Sequence, residues 1–386
     1  MNFEASEEQR DLREGARVFG EREVRPNVLA RDSAGAWDAQ LWRKMGEAGL
    51  LGAPFPEKYG GMGLSCVDTC MVKEGFGEGA SDGGLALAWG AHTILCGVPI
   101  WKLGTEAQRE KYLPGMCAGE LTGGFCLSEP DSGSDAASMK TRAVRKGDVW
   151  ILNGTKMWIT NGPVGDVFVV TAVTDPDAKP KASGISTFLV EKSFPGCRVG
   201  QHIDKLGMRT SQTSELIFED CEVPAANLLG MENFGFFITA RLILGWERSC
   251  LIAPALGSMK DTIERTRRYV QEREQFGRPI SRFQAVRHTL AGMRIRYEVS
   301  RNLVYRVAWL LDQCDDPPLV EAAIAKVFTT EAAQHNAREA VQMHGGNGFT
   351  PEYEVERGYR DSMLGSIGGG TNEIQRGIIA RALLGF

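Results

Sequence analysis

The sequence predicts an α+β protein built from three consecutive parts, which are helical, then β, then helical again. Three observations support this order. Helix-capping patterns and apolar helical stretches occupy residues 1–122, short β-type runs separated by turn signals occupy residues 123–232, and helical periodicity returns over residues 233–386. A chain of 386 residues is long enough for two or three packed units. We therefore expect an N-terminal helical domain, a central β domain and a C-terminal helical bundle.

The N-terminal part begins and ends with helix-start signals. Ser6 with Gln9, and Thr105 with Gln108, have the spacing of capping boxes. Between them lies an uncharged run, 85–101, which is interrupted by two glycines and a proline. This run is short for a membrane-spanning helix. We expect it to form a buried helix of the N-terminal domain.

The central part contains apolar runs such as VWIL, TKMWIT, DVFVVTAVT, ISTFLVE and SELIFED. Their length and their β-branched and aromatic residues are typical of strands. Asn153-Gly154 is a hairpin signal, and Lys146-Gly147-Asp148 marks another turn. We expect a small sandwich or barrel.

The C-terminal part carries the strongest periodic pattern in the chain. After Ile280, apolar or small residues recur at alternating spacings of three and four up to Leu311. This predicts a helix about eight turns long. Pro317 and Pro318 precede a second long helix that runs to Gly345, and a last helix follows Thr371. These helices, with the one that carries Glu247, predict a bundle.

Composition excludes several classes of function. The net charge of −5 argues against nucleic acid or an anionic membrane as the main partner. Nine cysteines occur without a CxxC pair, and no HExxH motif is present, so we predict reduced thiols in a cytoplasmic protein and no metal site. The N-terminus is acidic and lacks the apolar core of a secretory signal.

Glu247 is the most informative single residue. It lies in RLILGWERSCLIAPALG, where a carboxylate has little access to water. Such a group acquires a raised pKa or a charge partner, and a carboxylate titrating nearer neutrality suits a general base. Arg248 is a candidate partner, although adjacent helical residues point in different directions. From this segment alone, a solvated stripe of an amphipathic helix is an equal alternative.

Two further segments in the central part attract attention, and the first of them could approach a phosphate. Residues 126–135 read CLSEPDSGSD, a loop whose backbone N–H groups and hydroxyls can approach a phosphate. WITN follows at 158–161, where a tryptophan ends a predicted strand. Each segment also has a plain structural interpretation, as a turn and as β-domain core respectively.

Five motifs in this order resemble the acyl-CoA dehydrogenase family. They are LSEPDSGSD with WITN, LGMRTSQTSELIFEDCEVPAANLLG, REQFGRPISRFQ, QMHGGNGF and GTNEIQRGIIAR, and they span nearly the whole chain. The resemblance implies FAD as cofactor and a C-terminal four-helix bundle. It also implies a homo-oligomer, commonly a tetramer, because neighbouring subunits of such enzymes complete each other's cofactor site.

The resemblance also implies roles for individual residues. Near the flavin ring it places Phe125, Leu127, Ser128, Trp158 and Thr160; at the pyrophosphate, Gly133 and Ser134; at a neighbouring subunit's FAD, Arg273, Gln275, Phe276, Gln342, Met343 and Gly346; and at the start of the last helix, Thr371 and Glu373. Ser134, Trp246 and Arg248 are the expected substrate contacts. Trp89 and His92 are further candidates for the wall of an acyl pocket, and His92 is equally well a core histidine.

One departure from the family pattern matters. Most members have a glutamate base two residues before the threonine that opens the last helix, and Gly369 stands there in this chain. A minority, including isovaleryl-CoA dehydrogenases, place the base at the position of Glu247. Enzymes that oxidise prolyl groups on carrier proteins have a similar sequence there. We therefore expect Glu247 to be the catalytic base, and the Gly369 backbone N–H to remain as an oxyanion donor.

The predicted reaction is α,β-dehydrogenation of an acyl thioester. Glu247 removes the α-proton, and the β-hydrogen leaves as hydride to flavin N5. Electron-transfer flavoprotein or oxygen would then reoxidise the flavin. Three alternatives remain at this point: an acyl or aminoacyl group tethered to a carrier protein, a catalytically silent flavoprotein partner, and a non-redox lyase or enoyl reductase on the same scaffold.

Overall fold

The computed structural model describes residues 4–238, 242–314 and 316–385, and its N-terminal part is helical. The helices are α1 (Glu7–Phe19), α2 (Val28–Ala34), α3 (Ala39–Glu47), α4 (Cys66–Ala80), α5 (Gly83–Gly90), α6 (Val98–Leu103) and α7 (Glu106–Cys117). Both predicted capping boxes are confirmed, because the side chains of Ser6 and Thr105 accept the backbone N–H groups of Gln9 and Gln108, and each glutamine bonds back to the cap N–H.

Helices α5 and α6 are joined by a π-helical stretch, Ala91–Gly97, into one continuous helix. By length and composition, Gly83–Leu103 is the one described helix that could cross a membrane, with a mean hydropathy of 1.4. However, 83% of that window is buried inside the protein. The segment packs as a core helix, as the sequence predicted for the uncharged run.

The central part is a sheet of seven strands among the described residues. They are β1 (Gly123–Cys126), β2 (Arg142–Lys146), β3 (Val149–Thr160), β4 (Val167–Val173), β5 (Ile185–Glu191), β6 (Cys197–His202) and β7 (Thr213–Pro224). The order is β1-β4-β2-β3-β7-β6, and β5 pairs with β4. The sheet is curled and carries its own core, which includes Trp150, Phe168 and Phe218.

One predicted turn is confirmed and the other is wrong. The β2–β3 hairpin turns at Gly147, which has a φ of 61°. Asn153 and Gly154, by contrast, lie inside the continuous strand β3, where the pairing with β7 shifts register. Gly154 has a φ of 150°, and Asn153 exchanges hydrogen bonds with Asp220. The Asn-Gly pair forms no turn, because both flanking halves of β3 continue to pair with β7. Opposite Asn153, β7 has one extra residue, which makes a bulge in the ladder.

The C-terminal part is again helical. It contains α8 (Gly235–Ile238), α9 (Leu244–Trp246), a π-helical turn (Glu247–Leu251), α10 (Ala253–Glu272), α11 (Gln284–Gln313), α12 (Leu319–His344), α13 (Val355–Ser362) and α14 (Asn372–Leu384), with a short hairpin of β8 (Glu274–Gln275) and β9 (Arg278–Pro279). Helices α10, α11, α12 and α14 form the bundle. The 30 residues of α11 confirm the predicted long helix.

The three parts share buried groups at their junction. Glu74 of α4 is fully buried and accepts the Tyr297 hydroxyl of α11 at 2.9 Å, and Arg301 of α11 lies 3.3 Å from the same carboxylate. His92 is also buried: its Nε2 lies 3.1 Å from the Met116 carbonyl, and its Nδ1 accepts the Gly123 N–H at 2.9 Å. Because both ring nitrogens are satisfied and burial lowers its pKa to about 3, His92 is a neutral core residue that ties β1 to α7.

Candidate active site

The candidate site is centred on Glu247, the first residue of the π-helical turn that follows α9. Its neighbours Trp246, Arg248 and Cys250 are buried, which follows from the apolar character of this segment. The carboxylate itself points at the glycine turn before α14. A Cβ atom built on Gly369 would lie 2.7 Å from Glu247 Oε1 and 2.9 Å from its Cδ. The structure therefore brings the two residues proposed for catalysis into contact.

Burial and neighbouring positive charges shift the pKa of Glu247 in opposite directions. Desolvation raises the pKa of its carboxyl, whereas the positive charges of Arg248 and Lys326 lower it, and the net result is a raised pKa. A carboxylate with this balance is a better proton acceptor than an exposed glutamate. The electrostatics therefore fit a general base.

The glycine turn is held by side chains that the sequence analysis missed. Gln375 Nε2 donates to the carbonyls of Gly369 and Gly370, both at 2.9 Å. Lys326 Nζ donates to the Gly370 carbonyl at 3.0 Å and to Asn372 Oδ1 at 2.9 Å. Lys326 is 3% exposed, so its ammonium is a buried cation beside the turn. A lysine in the otherwise apolar stretch AAIAKVF was the available signal in the sequence.

Arg248 has the most unusual environment in the site. Its side chain is 2% exposed, and in the described part of the chain its Nε and Nη1 atoms have no hydrogen-bond partner. Burial lowers the pKa of this guanidinium, and the charge of Glu247 raises it. Buried donors of this kind require water or a ligand. Of the other predicted substrate contacts, Trp246 packs edge-on against Trp101, with the two ring centroids 6.2 Å apart, and Ser134 is exposed.

A sulfur cluster lies behind Glu247. Cys250 Sγ is 3.3 Å from Cys66 Sγ and 3.5 Å from Cys70 Sγ, and the three thiols are fully buried in the apolar core. They form the one group of three potential metal-ligand side chains found among the described residues. Structural zinc sites have four ligands, so this cluster is one short of that number. Buried thiols of this kind also pack as small apolar groups.

The predicted flavin-ring residues come together on the central sheet. Phe125 is the second-last residue of β1, and the loop after this strand is joined to β3 by the bond from the Met157 N–H to the Ser128 carbonyl at 2.8 Å. Trp158 has a φ of 64° and exposes 58% of its side chain. A bulky residue in the left-handed region is uncommon and costs energy, which points to a functional constraint. Half-buried Leu127 and Thr160 lie nearby on the same two segments.

Two further charged residues missed by the sequence analysis fix this loop. The buried Glu129 carboxylate accepts Lys156 Nζ at 2.8 Å and the backbone N–H groups of Lys140 and Thr141 at 2.6 and 3.0 Å. Lys156 Nζ also donates to the Leu127 carbonyl at 3.1 Å. Lysine at an inward-facing position of β3 was the sequence signal. This ion pair holds the loop, while Asp131, Gly133, Ser134 and Asp135 remain exposed.

The residues predicted to reach a neighbouring subunit lie elsewhere, on the C-terminal part. Arg273, Gln275 and Phe276 belong to the β8–β9 hairpin and are exposed. Phe276 is 92% exposed and has a φ of 55° in a two-residue turn with Gly277. In the described part of the chain, the hairpin's side-chain hydrogen bonds and ring contacts stay within the hairpin or reach Phe283.

The remaining predicted residues lie at helix ends. Gln342 and Gly346 are exposed and Met343 is half-buried at the C-terminal end of α12. Thr371 is the N-cap of α14 and accepts the Ile374 N–H at 3.4 Å, and Glu373 is in its first turn. The free N–H groups at this helix start favour acceptor atoms.

The residues on the central sheet fit an FAD molecule. A side chain at Gly133 would meet nothing within 4 Å, so the loop leaves open space on its outer side. Beside that space are the exposed, strained indole of Trp158 and a loop of serines and backbone N–H groups. An aromatic face for a ring and small residues for close approach to phosphates match the chemistry of the cofactor.

Comparison with known proteins follows the same three-part division. Residues 6–120, 124–221 and 233–384 match the models of the acyl-CoA dehydrogenase N-terminal, middle and C-terminal domains. The mitochondrial isovaleryl-CoA dehydrogenase of Pongo abelii is 41% identical over 98% of this chain and 89% of its own length.

Solved structures give the same result. Butyryl-CoA dehydrogenase from Megasphaera elsdenii is 39% identical and superposes with a TM-score of 0.94, covering both chains completely. A prolyl acyl carrier protein oxidase is 36% identical, with a TM-score of 0.95 over 98% of this chain and 100% of its own.

Proposed function

The chain belongs to the acyl-CoA dehydrogenase family of FAD-dependent oxidoreductases, and on this premise we propose that it dehydrogenates an acyl-CoA thioester with Glu247 as the base. One observation carries the assignment. The Glu247 carboxylate lies where a side chain of residue 369 would begin, 2.7 Å from the position of its Cβ. The Glu247 carboxylate thus occupies the beginning of the space that an acidic side chain at residue 369 would need.

Glu247 removes the α-proton of the thioester. Its raised pKa makes it a stronger base than an exposed glutamate, and the charges of Arg248 and Lys326 favour its ionised form. The developing negative charge on the thioester oxygen needs hydrogen-bond donors. The Gly369 backbone N–H supplies one, since glycine retains this donor although it lacks the side chain.

FAD, when bound, supplies the hydride acceptor for the β-hydrogen. Phe125, Leu127, Ser128, Gly133, Ser134, Trp158 and Thr160 would hold it from the central sheet, and Thr371 and Glu373 from the start of α14. Arg248 and Trp246 line the acyl side, where the unpartnered guanidinium donors offer hydrogen bonds to substrate or water.

The cofactor site is composite in this proposal. Arg273, Gln275, Phe276, Gln342, Met343 and Gly346 would reach the FAD of a second copy within a homotetramer. The exposed ring of Phe276 and its strained backbone support this role, because an isolated chain gains nothing from either. The enzyme would work in the cytoplasm and pass its electrons to an electron-transfer flavoprotein or to oxygen.

A carrier-protein substrate is the second candidate. It is favoured by the likeness to the prolyl acyl carrier protein oxidase, which is as close in fold as the CoA-dependent relatives. Anaerobic titration of the FAD-loaded protein separates the two. Bleaching of the oxidised flavin absorbance by straight or branched acyl-CoA supports the CoA thioester, and bleaching only by a loaded carrier protein supports the carrier. Bleaching by either one excludes a catalytically silent partner.

Glu247→Gln tests the base. The substitution keeps the shape of the side chain and removes the proton acceptor, so turnover should fall by about 100- to 10,000-fold. FAD content per chain should stay unchanged. Glu264→Gln on the exposed surface of α10 is the matched control and should retain full turnover. Turnover of Glu247→Gln within twofold of the unmodified protein would reject the assignment.

A further inference from the structure

The turn from Gly368 to Gly370 cannot hold its own shape. Gly369 and Gly370 have φ values of 66° and 75°, and none of the three glycines has a side chain to pack. Glycine is the most flexible residue, so the native conformation must be fixed from outside. The direction of the Gly369 N–H, which the proposed function uses, depends on that fixation.

Two side chains fix the turn through its carbonyl groups. Gln375 Nε2 binds both carbonyls, and Lys326 Nζ adds a charge-assisted bond to the Gly370 carbonyl. Lys326 is itself held by Asn372, whose amide donates to Thr330 Oγ1 at 3.2 Å. Thr330 in turn donates to the Lys326 carbonyl at 2.9 Å. The network joins α12 to the start of α14.

Lys326 also acts on Glu247 through its charge. The charged groups that act on Lys326 are Glu247, Arg248, Glu373 and Glu331. Burial and, to a smaller extent, the charge of Arg248 lower the pKa of Lys326, the three carboxylates oppose the shift, and the net pKa is about 8. Lys326 is therefore a cation at neutral pH and loses its charge in the mildly alkaline range.

We propose that Lys326, assisted by Gln375, is a positioning residue of the reaction. It holds the Gly369–Gly370 backbone so that the Gly369 N–H faces the thioester oxygen, and it places a positive charge beside the α-carbon where the enolate forms. The inference rests on the proposed function, and it predicts that proton abstraction depends on Lys326 although this residue touches neither the α-carbon nor the leaving hydride.

The test isolates proton abstraction from oxidation. A thioester with sulfur in place of the β-carbon loses its α-proton but has no β-hydrogen to transfer. With the FAD-loaded protein in deuterated water, exchange of the α-hydrogen of this acyl-CoA is followed by mass spectrometry. Lys326→Met should slow exchange by about 10- to 100-fold, since a misplaced oxyanion donor costs somewhat less than a lost one. Binding of the thioester should change less than threefold.

The pH profile distinguishes positioning from a general structural role. In the unmodified protein, exchange should rise with pH as Glu247 ionises and fall above about pH 8 as Lys326 loses its proton. Lys326→Arg keeps its charge, so it should restore exchange to within about fivefold and lack the alkaline fall. Lys205→Met is the matched control, because Lys205 also donates to a backbone carbonyl, that of Ser211, and burial lowers its pKa to about 8.

The outcomes separate this inference from the proposed function. If the unmodified protein exchanges no α-hydrogen, the proposed function fails. If it exchanges and Lys326→Met exchanges within twofold of it, only the role of Lys326 is overturned. Should the methionine variant not fold, the arginine variant decides: the same alkaline fall in Lys326→Arg overturns the inference, and its disappearance supports it.

Discussion

The region around Glu247 and Gly369 differs from the β8–β9 hairpin in how far it is completed by its own chain. Around Glu247, the carboxylate meets the glycine turn, and Lys326 and Gln375 bind the turn's carbonyls. In the hairpin, Phe276 exposes 92% of its side chain to solvent. One chain therefore builds the proposed proton-abstraction site, whereas the proposed cofactor site requires a second copy.

This difference predicts that damage to the two regions has separable effects. Changes around Glu247 and Gly369 should lower the rate of proton abstraction while FAD remains bound. Changes in the hairpin should lower FAD retention and leave the chemistry of the FAD-loaded fraction intact. A change that affected both properties equally would contradict the division.

Gly369→Ala should have the largest effect. Its Cβ would lie 2.7 Å from Glu247 Oε1, and its φ of 66° is one that side-chain-bearing residues rarely adopt. The carboxylate must move, and the strained backbone adds about 1–3 kcal/mol. We expect turnover to fall at least about 100-fold with unchanged FAD content, measured by steady-state kinetics and flavin absorbance.

The control for this substitution is Gly377→Ala in α14, where an added Cβ meets nothing within 4 Å. It should keep full activity and gain slightly in stability, because alanine is the better helix former. Full activity of Gly369→Ala would show that catalysis does not require the Glu247 carboxylate in its present position.

Arg273→Ala should have an intermediate effect, confined to the cofactor. Loss of a charge-assisted hydrogen bond to a phosphate is worth about 1.5–3 kcal/mol, so the FAD concentration needed for half-saturation should rise about tenfold or more. Exchange of the substrate α-hydrogen per FAD-loaded chain should not change. Arg267→Ala, on the exposed surface of α10 beside Glu264, is the matched control. Undiminished FAD affinity would remove the case for a composite site.

Phe276→Asn should have the smallest effect, and the direction of the change in stability is the informative part. Asparagine tolerates the left-handed backbone better than phenylalanine, so the FAD-free monomer should gain about 1 kcal/mol in stability, seen as a higher Tm. The same variant should retain FAD less well because the ring is gone. A lower Tm without FAD would show that Phe276 stabilises its own chain, which would weaken the contrast between the two regions.

The regular elements were the most predictable part of the molecule. The long helix α11 followed from apolar spacings of three and four, and both capping boxes from residue pairs three apart. Such patterns are local, so the sequence contains them completely. Asn153-Gly154 failed for the opposite reason: pairing of β3 with the distant strand β7 turned a hairpin signal into a bulge.

The site residues that could be predicted were mostly those in the motifs that resemble the family. Polarity alone identified Glu247 as unusual, but the segment was equally compatible with a solvated stripe. Its contact with Gly369 depends on how the π-helical turn lies against the glycine turn before α14. Lys326 and Gln375 escaped notice because their role is to bind backbone carbonyls, and no side-chain motif records such a partner. The meeting of Cys66 and Cys70 with Cys250 could not be predicted either, because Cys250 is 180 residues from Cys70 in sequence.

The overlap between Glu247 and the missing Cβ of residue 369 limits how sequences of this kind can diverge. Two acidic side chains cannot share that volume in the backbone conformation seen here. During divergence, glycine at 369 must therefore be acquired before the glutamate at 247, or together with it. Any homologue that keeps this turn should therefore carry one acid or the other but never both. The identity of residue 369 alone would then indicate which segment carries the base, the π-helical turn after α9 or the glycine turn before α14.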